Sequence, residues 1–304
     1  MKPSIAVVGP GAIGGTVGAW LLRAGHEVTL CARTPFAELV VETSGEILHA
    51  TPPIWTEPEQ ATSVDWVLVA TKTYAVAGAA AWLDVLAGPD TKVAVLQNGV
   101  EHVARFAPFV PVDRLLSVVV DIPAERDAPG HIRQRRSGTM LVPPGETGRA
   151  FAELFGDTAI TVTETADFPG ALWRKLAINV AGAVSALADE GGGVAWRESA
   201  ARLMRALVTE CVTVGRAEGA VLEDDLVEAV IEHYRHGHRD AINSLHADRI
   251  AGRPMEWDAR NGVIGRLGRQ HGIATPVSDA VSDLLAAIDE RISAAASIPP
   301  APLV

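Results

Sequence analysis

Three sets of residues in this 304-residue chain have types and spacings that could do chemistry. The first is Gly9-Pro10-Gly11-Ala12-Ile13-Gly14, a G-x-G-x-x-G cluster straight after the apolar run Ile5-Ala6-Val7-Val8. Between a strand and a helix, such a cluster cradles a dinucleotide. Gly9 permits the tight turn, Gly11 removes the side chain that would block a pyrophosphate, and Gly14 lets helix and strand pack closely. The helix that follows presents N–H groups and a partial positive charge to phosphates. Ala12 and Ile13 lie inside the same turn and are assigned to it. A glycine-rich turn in some other α/β protein is the alternative reading. The position after a strand favours the nucleotide.

The second set comprises polar residues that end apolar runs. A site for NAD commonly closes its second strand with a carboxylate for the ribose hydroxyls. Here that strand ends Leu30-Cys31-Ala32-Arg33-Thr34, with no carboxylate from Thr29 through Pro35. A guanidinium at Arg33 pairs with a 2′-phosphate, so the expected cofactor is NADPH rather than NADH. An ordinary solvated arginine is the competing reading. Lys72 follows Val69-Ala70-Thr71, and Asn98 follows Leu96-Gln97. Both are expected on the crevice edge beside the cofactor. Taken singly, Lys72 reads equally as a surface lysine and Asn98-Gly99 as simple turn chemistry.

The third set is Lys175 and Asn179, four apart on one face of an apolar helical run. This pair either marks a solvent-facing side or supplies a general acid, since desolvation readies an ammonium to release its proton. Asn243, Ser244, His246, Asp248, Glu256 and Asn261 are, by themselves, unremarkable helical polar residues. No metal site is assigned.

Positioning these residues requires two kinds of architecture. Strands are expected at Ile5 to Val8, Glu27 to Cys31, Asp65 to Ala70, Val93 to Leu96 and Leu116 to Val120, with Thr139 to Val142 completing the run. Helices intervene from Thr16 to Ala24 and Ala75 to Leu86, while Ile47-Leu48 and Ile54-Trp55 suggest a small hairpin or crossover. Near-continuous apolar strands between helices indicate a parallel sheet covered on both faces. Right-handed crossovers then gather the strand-end loops on one edge. From about Asp167 strand-like runs vanish. Helices are expected at Ala171 to Leu187, Ala200 to Gly219, Leu222 to His233, Arg239 to Ile250, Glu256 to His271 and Val277 to Ala295, with a frayed tail at Ile298 to Pro302. The fold class is α/β: a Rossmann dinucleotide-binding domain over residues 1–166 and an all-helical substrate-binding and catalytic domain over 167–304. A cleft between them is the expected ligand site.

Composition narrows the classes. The chain is 48% apolar, enough for a substantial core, and its net charge of −11 argues against a nucleic-acid surface. The most basic stretch, His131 to Arg136, reads as a solvated edge strand or loop. Two cysteines, Cys31 and Cys211, fit a reduced cytoplasmic protein. No signal-peptide pattern and no apolar run of membrane-spanning length are expected. The helical half carries apolar surface for a homodimer, though a monomer fits equally.

Together the segments resemble the ketopantoate reductase family over nearly the whole chain. The resemblance rests on Gly9 to Gly14, the Lys72 turn, Gln97-Asn98-Gly99, Leu172-Trp173-Arg174-Lys175-Leu176-Ala177-Ile178-Asn179, Ser244 with Asp248, Glu256, and His271-Gly272-Ile273. The Leu172 to Asn179 segment is the most specific. The resemblance implies NADPH-dependent reduction of a branched 2-oxo acid, 2-dehydropantoate giving pantoate. It makes Lys175 the general acid, Asn98 a hydrogen-bonding partner near the carbonyl oxygen and nicotinamide, and Glu256 the holder of the substrate hydroxyl. It also makes Ser244 the carboxylate-binding group with Asn179 beside it, Lys72 a cofactor contact and Arg33 the 2′-phosphate contact. Domain closure would exclude water.

The chain departs from the family pattern twice. Ala183 lies where family members commonly carry a second asparagine, and Ala241 stands where another is often supplied. Each lost contact costs about 1–3 kcal/mol if a buried substrate group is left unpaired. The identity of the 2-oxo acid is therefore left open, with Asn243 and His246 as candidates to compensate. Three other readings remain: a reductase of another 2-oxo acid, a non-catalytic NADPH-binding regulator, and an oxidative β-hydroxyacid dehydrogenase.

Overall fold

The computed structural model describes residues 2–296, so the tail from Ile298 to Pro302 lies outside the described residues. The chain divides into two compact units, one ending at Phe168 and the other beginning at Pro169.

The first unit opens with β1 (Ser4–Val8), α1 (Ala12–Arg23) and β2 (Glu27–Cys31). It continues through β3 (Leu39–Glu42), β4 (Ile47–Ala50), β5 (Ile54–Trp55), β6 (Trp66–Val69), α2 (Val76–Leu86), β7 (Lys92–Val95), α3 (His102–Phe106) and β8 (Leu115–Ser117). The strands β5-β2-β1-β6-β7-β8 form one sheet, parallel at every pairing. All of its strands therefore end on the same edge. The chain order reverses between β1 and β6, where a doubly wound sheet opens its crevice. Valine and leucine fill the inner strands on both faces, as a sheet buried on both sides requires.

The rest of the unit departs from a plain succession of parallel strands. After β8 come β9 (Val119–Asp121), β10 (Ala124–Ala128), β11 (His131–Gln134), β12 (Thr139–Val142), α4 (Glu146–Leu154) and β13 (Thr161–Glu164). Thr139 to Val142 is not part of the main sheet. It pairs antiparallel with β9 and parallel with β13 in a sheet of three. The expected strand from Leu116 to Val120 is likewise shared. Val118 N–H still donates to the Val95 carbonyl at 3.1 Å, and the chain then turns into the small sheet. Ile47-Leu48 and Ile54-Trp55 do not pair with each other. β4 folds back on β3, and β5 extends the main sheet beside β2. The basic stretch is an interior strand, not an edge: β11 lies between β10 and β3. Its alternation reconciles this with its charge, because Ile132 and Gln134 are buried while His131 and Arg133 are exposed.

This four-stranded sheet, β10-β11-β3-β4, packs on one face of α1 and explains the glycine at position 15. The helix starts at Ala12, four residues before the expected Thr16, and every residue from Gly14 to Leu21 is buried. A methyl on Gly15 would strike the Ile132 side chain, and Trp20 Nε1 donates to Gln134 Oε1 at 2.8 Å.

The second unit is helical, with no strand among its described residues. It contains α5 (Phe168–Ala181), α6 (Ala183–Ala188), α7 (Glu198–Ala217), α8 (Leu226–His236), α9 (Ser244–Ile250), α10 (Val263–Gln270) and α11 (Pro276–Ala296). The expected single helix from Ala171 to Leu187 is broken at Gly182. The expected helix from Arg239 begins only at Ser244. The carbonyls of Arg239 and Ala241 instead accept from the N–H groups of Gly193 and Gly192, at 2.7 and 2.9 Å. Asn243 then caps α9, its Oδ1 accepting from the N–H groups of Leu245 and His246. The run from Glu256 begins with a wide π turn over Asp258–Gly262 before α10. No helix among the described residues is long and apolar enough to cross a membrane.

Candidate functional site

In the first unit, the C-terminal edge of the parallel sheet gathers the glycine turn, Arg33, Lys72 and Asn98. Gly9 sits at φ +88, a backbone conformation that favours glycine, and a side chain there would strike Thr71 just after β6. Gly14 faces the Gly9 carbonyl and would put a methyl 2.9 Å from the Ala70 Cβ. Gly11 differs from both, since a methyl there meets nothing within 4 Å. Its missing side chain is not demanded by the protein's own packing. Gly11 is also the N-cap of α1, and Gly15 N–H makes the first intrahelical bond, to the Gly11 carbonyl at 2.8 Å. The N–H groups of Ala12, Ile13 and Gly14 thus belong to the first turn, where no helical carbonyl is available to them. Open space over first-turn N–H groups is what a pyrophosphate needs.

Arg33 lies two residues beyond β2, exposed and without a hydrogen bond or ion pair among the described residues. Lys72 is half-buried at the start of a short 3-10 turn, and its carbonyl accepts from Ala75 N–H at 2.9 Å. Asn98 is held by a brace that the sequence reading did not single out. Buried Gln97 donates through Nε2 to Thr71 Oγ1 at 3.0 Å, tying the β7 turn to the β6 turn. His102 Nε2 bonds the Gln97 carbonyl at 2.8 Å, and Arg105 donates to the Asn98 carbonyl at 3.1 Å. Burial pushes His102 down to about 4, so it is neutral near pH 7 and its Nε2–H donates.

In the second unit, the break at Gly182 organises the remaining candidates. A helix end leaves its last carbonyls without intrahelical partners. Here the Ile178 and Gly182 carbonyls keep long backbone bonds, from Gly182 N–H at 3.2 Å and Ala186 N–H at 3.4 Å, and side chains from distant segments add donors at four carbonyls. Tyr234 donates to the Ile178 carbonyl at 2.8 Å, Arg260 to that of Asn179 at 3.0 Å, Asn261 to that of Val180 at 3.2 Å, and Asn243 to that of Gly182 at 3.0 Å. Gly182 is required, because a Cβ there would lie 2.6 Å from the Tyr234 hydroxyl and 3.2 Å from the Arg260 guanidinium.

Around this break, Lys175 is half-buried on α5, and Asn179, one turn later, is buried. Ser244 is exposed at the first position of α9, and its Oγ accepts from Arg260 Nη1 at 2.9 Å. Glu256 is buried just ahead of the π turn. Arg260 therefore brings Asn179 and Ser244 together from separate helices. It is 2% exposed, the bulkiest fully buried side chain among the described residues. Burial lowers its affinity for the proton, and Tyr234, Glu256 and Asp248 oppose that effect. Guanidinium remains charged nonetheless. Burial also pushes the Tyr234 phenol up to about 12, so it stays a neutral donor.

The two proposed compensators have other work. Both amide atoms of Asn243 are engaged, in the α9 cap and at the Gly182 carbonyl. His246 is buried and bonded through Nε2 to Asp189 at 3.0 Å. Ala183 is fully buried and Ala241 exposed. Arg260 was missed by sequence reasoning, as was Tyr234. The only available signal was a charged residue one turn after Glu256 in a run that also carries Asn261. Among the described residues no cluster of three or more His, Cys, Asp or Glu could hold a metal ion.

Comparison with known proteins gives a consistent family. The description "Ketopantoate reductase PanE/ApbA" matches residues 5–147, and its C-terminal counterpart matches residues 167–289. The chain is 56% identical over 283 residues to a curated 2-dehydropantoate 2-reductase of Caulobacter vibrioides, covering 93% of this chain and 98% of that one. It is 41% identical over 292 residues to the 2-dehydropantoate 2-reductase of Mycobacterium tuberculosis, covering 95% and 99%. A crystal structure of a PanE/ApbA family ketopantoate reductase from Ralstonia eutropha superposes with a TM-score of 0.88 at 31% identity, covering 96% of this chain and 100% of the other.

Proposed function

The chain belongs to the ketopantoate reductase family, and on that premise we propose that it reduces 2-dehydropantoate to pantoate with NADPH as the hydride donor. The observation that carries the reaction is the 56% identity, over nearly the full length of both chains, to a curated 2-dehydropantoate 2-reductase. The preference for NADPH rests on Arg33, an exposed guanidinium just past β2, and on the absence of a carboxylate from Thr29 through Pro35.

The residues of the first unit fit a dinucleotide. Ala12, Ile13 and Gly14 offer N–H groups to the pyrophosphate over the space left by Gly11, with Gly9 shaping the turn. Arg33 takes the 2′-phosphate, and Lys72 contacts the cofactor from the β6 turn. When bound, NADPH supplies the hydride that reduces the substrate carbonyl carbon. Asn98, its backbone fixed by Arg105 and its turn by Gln97, hydrogen-bonds near the carbonyl oxygen and the nicotinamide.

Lys175 gives the carbonyl oxygen its proton as negative charge builds there, and its ammonium field lowers the barrier before the proton moves. Glu256 holds the substrate hydroxyl. Ser244 binds the carboxylate, with Asn179 beside it. Each proton is accounted for: the oxygen gains one from Lys175, and the resulting amine is recharged from solvent. The cytoplasm is the compartment we propose, in keeping with two buried, unpaired cysteines.

Oxidation of NADPH by the purified protein across a panel of 2-oxo acids tests the reading. The expected kcat/KM is highest for 2-dehydropantoate by at least about tenfold, as a site matched to its substrate's hydroxyl would give. A rate on 2-dehydropantoate no better than on pyruvate would reject the narrower assignment.

A further inference from the structure

We propose that Arg260 is a positioning residue for carboxylate recognition, holding Ser244 from behind so that the serine hydroxyl presents its hydrogen to the substrate carboxylate. The inference rests on the reading of Ser244 as the carboxylate-binding group and adds what makes that hydroxyl a committed donor.

Guanidinium has five N–H donors and no acceptor. When Arg260 Nη1 donates into Ser244 Oγ at 2.9 Å, the serine hydrogen has nothing to meet in that direction. It must point elsewhere, and Ser244 lies on the exposed side of the pair while Arg260 is buried. The second arm of the fork, Nη2, donates to the Asn179 carbonyl at 3.0 Å and locks the plane of the group. One side chain thus registers α5 and α9, which carry three of the four candidates of this unit, Lys175, Asn179 and Ser244, and it stands one turn from the fourth, Glu256. The segment that carries it is the π turn Asp258–Gly262, a distortion found frequently at functional positions.

Closing a helix end does not require a charge. The Val180 carbonyl is met by the neutral amide of Asn261, and the Ile178 carbonyl by the neutral Tyr234 hydroxyl together with Gly182 N–H. Arg260 alone brings a buried cation to this task, and its Nε finds no hydrogen-bond partner among the described residues. Of the carboxylates that act on it, Asp248 already has Arg253 at 3.0 Å. A cation placed directly behind a donor hydroxyl suits an anion arriving on the far side of that hydroxyl.

The experiment compares wild type, Arg260→Met, Arg260→Lys and Ser244→Ala on 2-dehydropantoate and on its carboxamide, which lacks the negative charge. NADPH affinity and melting temperature are measured alongside. Arg260→Met is expected to raise KM for the acid about 10–100-fold, with kcat and NADPH affinity changed less than about threefold. On the carboxamide its kcat/KM should stay within about threefold of wild type. Ser244→Ala should show the same selectivity for the acid, and a fourth variant that combines Arg260→Met with Ser244→Ala should lose little more than either single variant. Arg260→Lys should recover only part, since a point charge cannot reach both partners in the fork. If Arg260→Met proves too unstable to purify, the acid-to-amide ratio of Arg260→Lys carries the comparison.

Equal losses on acid and amide would mark Arg260 as purely structural and overturn the inference. Loss in Ser244→Ala without loss in the Arg260 variants would overturn it too, while leaving Ser244 in its role. An unaffected Ser244→Ala would remove the reading of Ser244 and the inference with it.

Discussion

Gly11→Ala and Gly14→Ala add one methyl to each of two glycines in the same turn, and the structure sets opposite outcomes for them. At Gly11 the backbone lies at φ −79 and ψ −155, open to any residue, and the new methyl meets nothing within 4 Å. Removing a glycine restricts the unfolded chain, worth about 0.4–1 kcal/mol. Alanine is a poorer N-cap by about 0.5–1 kcal/mol. These offset, so the melting temperature should stay within about 3 °C. The cofactor fares differently. Keeping a pyrophosphate one methyl away from the first turn of α1 removes two charge-assisted hydrogen bonds of about 1.5–3 kcal/mol each. NADPH affinity should fall by roughly 10²–10⁴. At Gly14 the methyl would meet the Gly9 carbonyl, the Ala70 Cβ at 2.9 Å and Val7 Cγ1 at 3.1 Å. Overpacking of about 1–3 kcal/mol follows, and the protein should melt several degrees lower. Fluorescence titration with NADPH beside a thermal melt reads both quantities. A Gly11→Ala protein that binds NADPH within about threefold of wild type, or that melts like Gly14→Ala, would refute the reasoning.

Lys175→Ala should lower turnover by roughly 10²–10⁴ while NADPH affinity is nearly kept, and an unchanged rate would remove Lys175 from the mechanism. Arg33→Ala should raise the Michaelis constant for NADPH far more than that for NADH; equal effects would show that Arg33 does not read the 2′-phosphate. His102 is held near 4 against an ordinary value of 6.5, so the folded state binds its proton less readily than the unfolded state. Its contribution is complete above about pH 6.5 and is lost as pH falls toward 4, by up to about 1.4 kcal/mol per pH unit. Denaturant melts of His102→Gln should show a shallower loss over that window, and an identical slope would assign the loss to other groups.

The parts of this architecture legible in the sequence are those with local causes. The strand, glycine turn and helix at the start follow from adjacent residues. Lys72 and Asn98 were placed by a simple rule: in a parallel sheet, strand ends share an edge. What escaped was set by distant partners. Nothing near Thr139 reveals that it pairs with β9 and β13 instead of the main sheet. The apolar run through Gly182 reads as unbroken helix because its break is held by Tyr234, Asn243, Arg260 and Asn261, all more than 50 positions away. Arg260 itself looks like an ordinary solvated arginine until those contacts are seen. The early start of α1 was hidden for a related reason, since Gly15 is small to admit Ile132 of the second sheet and Gly14 and Gly18 to approach the first.

The contact of Gly9 with Thr71, and of Gly14 with Ala70, has a consequence for biosynthesis. The glycine motif occupies the first turn of the chain, yet its floor is built from the end of β6, some 60 residues later, after a hairpin has been laid down in between. A nascent chain that has emerged only as far as β5 carries every residue of the motif and no pocket. Cofactor capture during translation must therefore wait for the sixth strand to insert beside the first, so early ribosome-bound intermediates gain no protection from the nucleotide.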